Sequence, residues 1–356
     1  MARVSRTSMQ KPIEIAGVTV KPGSRQSIDI PLPSFYTNSS VNMPVHVIHG
    51  RRPGPVLLVS AAIHGDEING VEIIRRLLVK KSIDRIQGTL IAIPVVNVYG
   101  FVSKSRYLPD RRDLNRSFPG YENGSMASRL AHVVMTQIIP HTTHIIDLHT
   151  GAVNRENLPQ IRAKLQDNPE LETLARAFGV PVILNAELLQ NSFRAAAFDK
   201  GIGVLLYEAG EALRFDEVSI RAGVRGVLQV MIELGMRPRS KRPRKVESMV
   251  ANTSRWVRAG QSGILRSLVA TGTKVQEGDL LAYINNPLGE NTEELISPIS
   301  GIIIGKTNLP LVFAGEALFN IASYEEIDQV ADNIDAYNDE LDPNTDERLS
   351  DEPPLV

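Results

Sequence analysis

Two histidines and two glutamates stand in this sequence where apolar runs give way to glycine-bearing polar turns. His64 and Glu67 are three apart in Ile63-His64-Gly65-Asp66-Glu67-Ile68-Asn69-Gly70. His149 follows Ile145-Ile146-Asp147-Leu148, and Glu208 follows Val204-Leu205-Leu206-Tyr207. Across a strand-to-helix turn the first pair can aim an imidazole and a carboxylate at one point, with Gly65 and Gly70 permitting the tight backbone. His149 completes a His/Glu/His set. Three protein ligands leave a fourth zinc position open for water, the arrangement that lowers the water's pKa and makes a nucleophile. A structural site would usually fill all four positions. An acid at a buried strand end beside such a site suits proton transfer from water to a leaving nitrogen, the role expected of Glu208. The plain alternatives are a loop histidine beside a helix-capping acid, and a strand-end salt bridge. A His/Glu/His set would also accept cobalt, nickel or manganese.

A third signal is the stretch from Ser105 to Gly120, which is too long and irregular for a simple connection. One guanidinium there could bind a substrate carboxylate bidentately, and another could stabilise the oxyanion formed when water attacks a carbonyl. An Arg/Asp surface network is the rival reading. His46, His49, His132, His141 and His144 lie at no comparable strand end and read as surface or core-edge residues.

The elements that must position these residues follow from hydrophobic period. Short β-favouring runs between Ile13 and Ile48 read as edge strands. Pro55 to Ile63 is an apolar run of buried-strand length, and Glu67 to Leu78 puts Ile68, Val71, Ile74 and Leu78 on one helical face. The alternation continues with strands at Thr89–Val96, Thr143–Leu148 and Gly203–Tyr207 and helices at Met126–Ile139 and Phe215–Leu234. Repeated β-then-α units predict an α/β fold, a mostly parallel mixed sheet flanked by helices, with ligands at the carboxyl ends of strands.

Domain boundaries follow composition. Residues 1–12 read as a flexible N-terminus and 13–236 as the chemistry-bearing domain. Residues 237–245, Arg-Pro-Arg-Ser-Lys-Arg-Pro-Arg-Lys, read as a basic linker, since proline blocks helix and like charges repel. Residues 246–323 alternate short strands with glycine turns and predict a smaller all-β, barrel-like domain. From Tyr324 to Val356 there are twelve acidic residues against one arginine, which predicts a solvated, disordered tail.

Whole-chain composition narrows the function classes. A formal net charge of −1 gives no global attraction to nucleic acid or anionic membrane, so neither is an expected partner. The absence of cysteine excludes disulfides, thiolate ligands, iron–sulfur clusters and a cysteine nucleophile. With no signal-like N-terminus and no long apolar run, a cytoplasmic location is expected. A homo-oligomer is compatible with the sequence but is not specified by it.

From roughly Pro44 to Leu234 the motifs resemble the succinylglutamate desuccinylase and aspartoacylase family, a branch of the zinc carboxypeptidase fold. The resemblance implies one Zn2+ held by His64, Glu67 and His149, with Glu208 as general base. Asp113-Leu114-Asn115-Arg116 matches the family's Asp-Leu-Asn-Arg motif. It implies that Asn115 and Arg116 grip the substrate and that Asp113 orients a zinc-bound imidazole. Arg106 matches the arginine that polarises the scissile carbonyl, and Arg194 the additional carboxylate-binding arginine. The implied activity is metal-assisted hydrolysis of an N-acyl amino acid or similar small carboxylate-bearing amide, with a metallocarboxypeptidase acting on short peptides as the alternative. A zinc-containing binding or scaffold protein is the rival from another class. The C-terminal segment resembles the frame of a biotinyl/lipoyl half-barrel. It has no lysine between Asn285 and Asn291, so neither biotin nor lipoate is expected.

Overall fold

The apolar runs become strands buried on both faces in a computed structural model, which describes residues 9–238, 247–251 and 253–341. Four of these strands, in spatial order Gln87–Ile93, Arg52–Ala61, His144–Gly151 and Val204–Glu211, are parallel neighbours. Alternate residues of each point into different cores, and helices cover both sides, as a parallel sheet requires. Leu57, Val59, Ile146, Leu205 and Tyr207 pack against helices Asn69–Val79, Pro169–Phe178 and Glu217–Glu233. Leu58, Ile145 and Val204 pack against Met126–Gln137 and Phe193–Phe198.

Beyond this centre the sheet turns antiparallel on both sides. Val41–His49 and Ser24–Leu32 extend one edge, and Arg155–Ala163, Gly301–Thr307, Ala317–Ser323 and Thr253–Arg258 extend the other. Antiparallel pairings outnumber parallel ones, so the expectation of a mostly parallel sheet holds for the four central strands and for the branch in which Val182–Asn185 pairs in parallel with Arg155–Ala163 and Met249–Ala251. The reason is connectivity: helices link successive strands at the centre and between Arg155–Ala163 and Val182–Asn185, and the other flanking strands are paired directly.

The segment after residue 246 is β-rich, as its glycine turns predict. It does not stand apart, because Gly301–Thr307 is hydrogen-bonded to Arg155–Ala163 and continues the large sheet. Its second sheet is four-stranded, Thr292–Ile296, Leu280–Asn285, Gly263–Ser267 and Leu311–Val312. Val257, Leu265, Leu281, Ile303 and Phe319 form the core that the two sheets share.

Two terminal expectations need correction. Gln10 N–H donates to the Arg51 carbonyl at 3.0 Å and the His49 ring meets the Lys11 carbonyl at 2.9 Å, so the last residues of the expected flexible N-terminus are held against the sheet. At the other end, Ile327–Leu341 is an α-helix rather than a solvated tail. Val330, Ile334, Tyr337 and Leu341 recur at helical spacing and are buried, and the acids occupy the other face. Charge count alone hides that stripe. Val330 and Ile334 join the core at the C-terminal segment, while Tyr337 and Leu341 join the core under the central sheet. An Arg225–Glu340 ion pair of 2.9 Å adds to the join. Residues 1–8, most of the expected linker (239–245) and 342–356 lie outside the described residues. Among the described residues no helix is long and apolar enough to cross a membrane.

The docked helix predicts that Tyr337→Ala destabilises the protein by about 3 kcal/mol through loss of a buried aromatic ring. Denaturant unfolding measures this, and an unchanged midpoint would show that residues 327–341 are not packed.

Candidate active site

The strand Arg52–Ala61 ends on Ala62, whose φ of 52° is left-handed and turns the chain sharply toward His64. A bond of 3.1 Å from Glu67 N–H to the His64 carbonyl closes the next turn, and helix Asn69–Val79 follows at once. Gly65 is needed for a different reason from the one its turn position suggests. A Cβ there would lie 2.0 Å from the Gly100 carbonyl carbon and 2.2 Å from the Phe101 nitrogen, so the helix Val98–Ser103 approaches too closely for any side chain.

His64, Glu67 and His149 meet in the interior, and their ligand atoms all lie within 4.8 Å of one another. Glu67 is only 2% exposed and sits between the rings, with His64 Nδ1 at 2.6 Å from Oε1 and His149 Nδ1 at 2.7 Å from Oε2. The opposite ring nitrogens face carboxylates: His149 Nε2 is 2.8 Å from Asp147, and His64 Nε2 is 3.2 Å from Asp113. Ser60 Oγ donates to Asp147 at 2.7 Å. Each imidazole is therefore oriented from behind with its Nδ1 toward the shared point, the usual supporting shell of a histidine metal ligand. Two imidazole nitrogens and one carboxylate oxygen, all desolvated, form a donor set suited to zinc.

Charge balance agrees with that fit. Burial pushes the Glu67 carboxyl toward neutrality, but the two imidazoles outweigh it and hold its pKa below the ordinary range. Burial also favours the neutral form of both rings, yet Glu67 with Asp113 raises the pKa of His64, and Asp147 with Glu67 raises that of His149 further. Arg106 closes the cluster, donating to Asp113 at 3.0 and 3.1 Å and lying 3.4 Å from Glu67. Burial works against the Asp113 anion, but His64 and Arg106 lower its pKa below the usual carboxylate range.

Glu208 reaches the same place from the neighbouring strand, where it pairs in register with His149. Its Oε2 accepts from Asn157 Nδ2 and lies 3.6 Å from Arg162. These groups open on a cavity of about 240 Å3 that His64, Glu67, Arg106, Asn115, Arg116 and Arg194 also line. The structure thus brings together eight of the nine site residues read from the sequence around one cavity, and places the ninth, Asp113, directly behind His64. Asn115 uses its side-chain oxygen to accept from Phe193 N–H at 2.9 Å, which leaves its amide N–H groups as donors. Arg116 Nη1 donates to the Asn115 carbonyl, and Arg194 donates to the Glu187 carbonyl at 3.0 Å. Burial and the nearby Arg162 together lower the Arg194 pKa.

Sequence reading missed Asp147, Arg155, Asn157, Arg162 and Trp256. Asp147 was within reach, since it stands two residues before His149 on the same strand face. Asn157 and Arg162 were not, because a bulge brings them together. Glu208 pairs with Gln160 and Gly210 with Asn157, so three steps along one strand match two along the other. The extra residue falls at Leu158-Pro159 and turns residues of opposite parity toward one cavity. Trp256 comes from the C-terminal segment and carries the Arg155 guanidinium 5.3 Å from its ring centre. It is the one tryptophan in the chain, a weak signal.

Known proteins share this framework. The family model of the succinylglutamate desuccinylase/aspartoacylase catalytic domain matches residues 53–234. The N-alpha-acetyl-L-2,4-diaminobutyric acid deacetylase of Halomonas elongata is 26% identical over 258 residues, 69% of this chain and 74% of its own. The structure of succinylglutamate desuccinylase/aspartoacylase from Rhodobacter sphaeroides has a TM-score of 0.77 at 25% identity, covering 84% of this chain and 95% of that one. The product-bound ectoine utilization protein EutE (DoeB) from Ruegeria pomeroyi has a TM-score of 0.79 at 22% identity, covering 90% of this chain and all of its own, a likeness of fold. Since the catalytic-domain match spans half of the sequence and contains His64, Glu67, His149 and Glu208, the chain belongs to the succinylglutamate desuccinylase/aspartoacylase family.

Proposed function

We propose that this chain is a zinc-dependent deacylase that hydrolyses the amide bond of a small N-acyl amino acid bearing at least one carboxylate. The supporting observation is the buried His64/Glu67/His149 set with Glu208 in register beside it on the wall of a small cavity. Zinc would be held by the two Nδ1 atoms and the Glu67 carboxylate, and when bound it supplies a Lewis acid that polarises a carbonyl and acidifies water.

The chain's own residues account for the rest. Asn157 and Arg162 both engage Oε2 of Glu208, so Oε1 is the atom that takes a proton from water and delivers it to the leaving nitrogen. Arg106 places a fixed positive charge beside Glu67, where it stabilises negative charge developing on the scissile oxygen. Arg116 and Arg194 line the cavity with guanidinia bonded to backbone carbonyls, which suits them to substrate carboxylates. Their positive excess favours an acidic amino acid or an acidic acyl group over a substrate with a free ammonium group, such as the zwitterion acetylated diaminobutyrate. The cavity's size, with Trp256 on its wall, favours one acylated amino acid over a peptide chain.

Three measurements test this reading. Glu208→Gln is expected to lower kcat by about a hundredfold or more while one zinc per chain remains by elemental analysis; retained turnover would remove Glu208 from its role. A panel of N-acetyl, N-succinyl and N-formyl amino acids set against short peptides is expected to show turnover of the acylated acidic amino acids, and peptide cleavage alone would favour a carboxypeptidase. Metal uptake must displace protons from His64 and His149, whose pKa values are raised in the metal-free site. Apparent zinc affinity should therefore fall as pH is lowered through neutrality, and a pH-independent affinity in competition titrations would contradict metal binding at these rings.

A further inference from the structure

The Glu208 carboxylate is held by a device built partly from the C-terminal segment. Asn157 is only 8% exposed, and its amide donates to Oε2 of Glu208. It stands on the bulged strand Arg155–Ala163, and on the far side of that strand its register partner is Gly305 of Gly301–Thr307. A Cβ on Gly305 would lie 2.6 Å from Asn157 Oδ1 and 3.3 Å from the Glu156 carbonyl oxygen. Gly305 also sits at a register shift in its own pairing with Ala317–Ser323. The absent side chain thus leaves the Asn157 amide room to lie along the strand with its nitrogen toward Glu208.

We infer that Asn157 is the positioning residue of the general base, and that Gly305 lets the C-terminal segment set that position. The inference rests on the reading of Glu208 given above. A carboxylate on a strand end has several rotamers, and fixing one oxygen leaves the other as the proton-carrying atom facing the cavity. Among the described residues, the other charged or titratable groups lining the cavity with Glu208 are His149 on one neighbouring strand, Arg162 and Arg155 on the other, Arg194 from the short helix, His64 and Glu67, and Arg106 and Arg116 from the long loop. Arg162 alone touches the same oxygen at longer range, so the amide is the nearer restraint.

The test compares Asn157→Leu, of similar shape but without the donor, and Gly305→Ala with the parent in the zinc-loaded full chain, on the N-acyl amino acid that the panel above identifies. Both variants are expected to lose about tenfold to a hundredfold in kcat, with KM and zinc content unchanged. Asn157→Leu should add no further loss in a Glu208→Gln background, since the two residues act as one unit. Crystal structures of the zinc-loaded variants should show the Glu208 carboxylate turned from its parent position. Unchanged kcat, an equal loss in the Glu208→Gln background, or an unmoved Glu208 would overturn the inference. Turnover by Glu208→Gln itself would instead refute the general-base reading, and the crystal structures would still decide whether Asn157 holds the carboxylate.

Discussion

A carboxylate removed from water as completely as Glu67 is held only by nearby positive charge or by a metal ion, and much of this structure serves that requirement. Glu67 lies between two imidazoles, and each imidazole has a further carboxylate behind it, Asp147 or Asp113. Arg106 then balances Asp113 and Glu67 together. Removing any one member leaves a neighbour buried without its counter-charge. Such a set therefore acts as a unit, and it ties together a strand-to-helix turn, a central strand and the long loop before the Met126–Gln137 helix.

The parallel centre of the sheet explains why these distant residues meet. Arg52–Ala61, His144–Gly151 and Val204–Glu211 run side by side in one direction, so their carboxyl ends deliver His64, His149 and Glu208 to one edge. The antiparallel flank does something else. It carries Arg155, Asn157 and Arg162 along the cavity wall and attaches the C-terminal segment, which contributes Trp256. The His64/Glu67/His149 set and Glu208 come from the parallel centre, while Arg155, Asn157, Arg162 and Trp256 are added to the cavity wall from its antiparallel edge.

That division also explains what was legible in the sequence. His64, Glu67, His149 and Glu208 sit where apolar runs stop, so hydrophobic period and residue type were enough to find them. Asp113, Asn115 and Arg116 were found through a motif resemblance, and Arg106 through its place upstream of that motif. Asn157 and Arg162 depend on a bulge at Leu158-Pro159, a change of register that strict alternation does not encode. Trp256 depends on a succession of strand pairings, from Arg155–Ala163 through Gly301–Thr307 and Ala317–Ser323 to Thr253–Arg258, that returns it to the side of Arg155 about a hundred residues earlier in the chain. The terminal helix was hidden by its own acids, which mask a buried apolar stripe when only charge is counted.

The C-terminal segment is joined to the rest at three levels that reinforce one another. Backbone pairing attaches Gly301–Thr307 to Arg155–Ala163, and Asn308 Nδ2 donates to Glu211 at 2.9 Å, three residues beyond Glu208. The helix Ile327–Leu341 then inserts into both hydrophobic cores at once. Moving the segment as a rigid body would break strand hydrogen bonds, empty two packed sites and separate Trp256 from Arg155. These losses fall together, which makes a hinged lid a poor description of this part of the molecule. It is better described as a fixed wall, and a fixed wall suits the role proposed for Glu208, one of whose oxygens is anchored by Asn157.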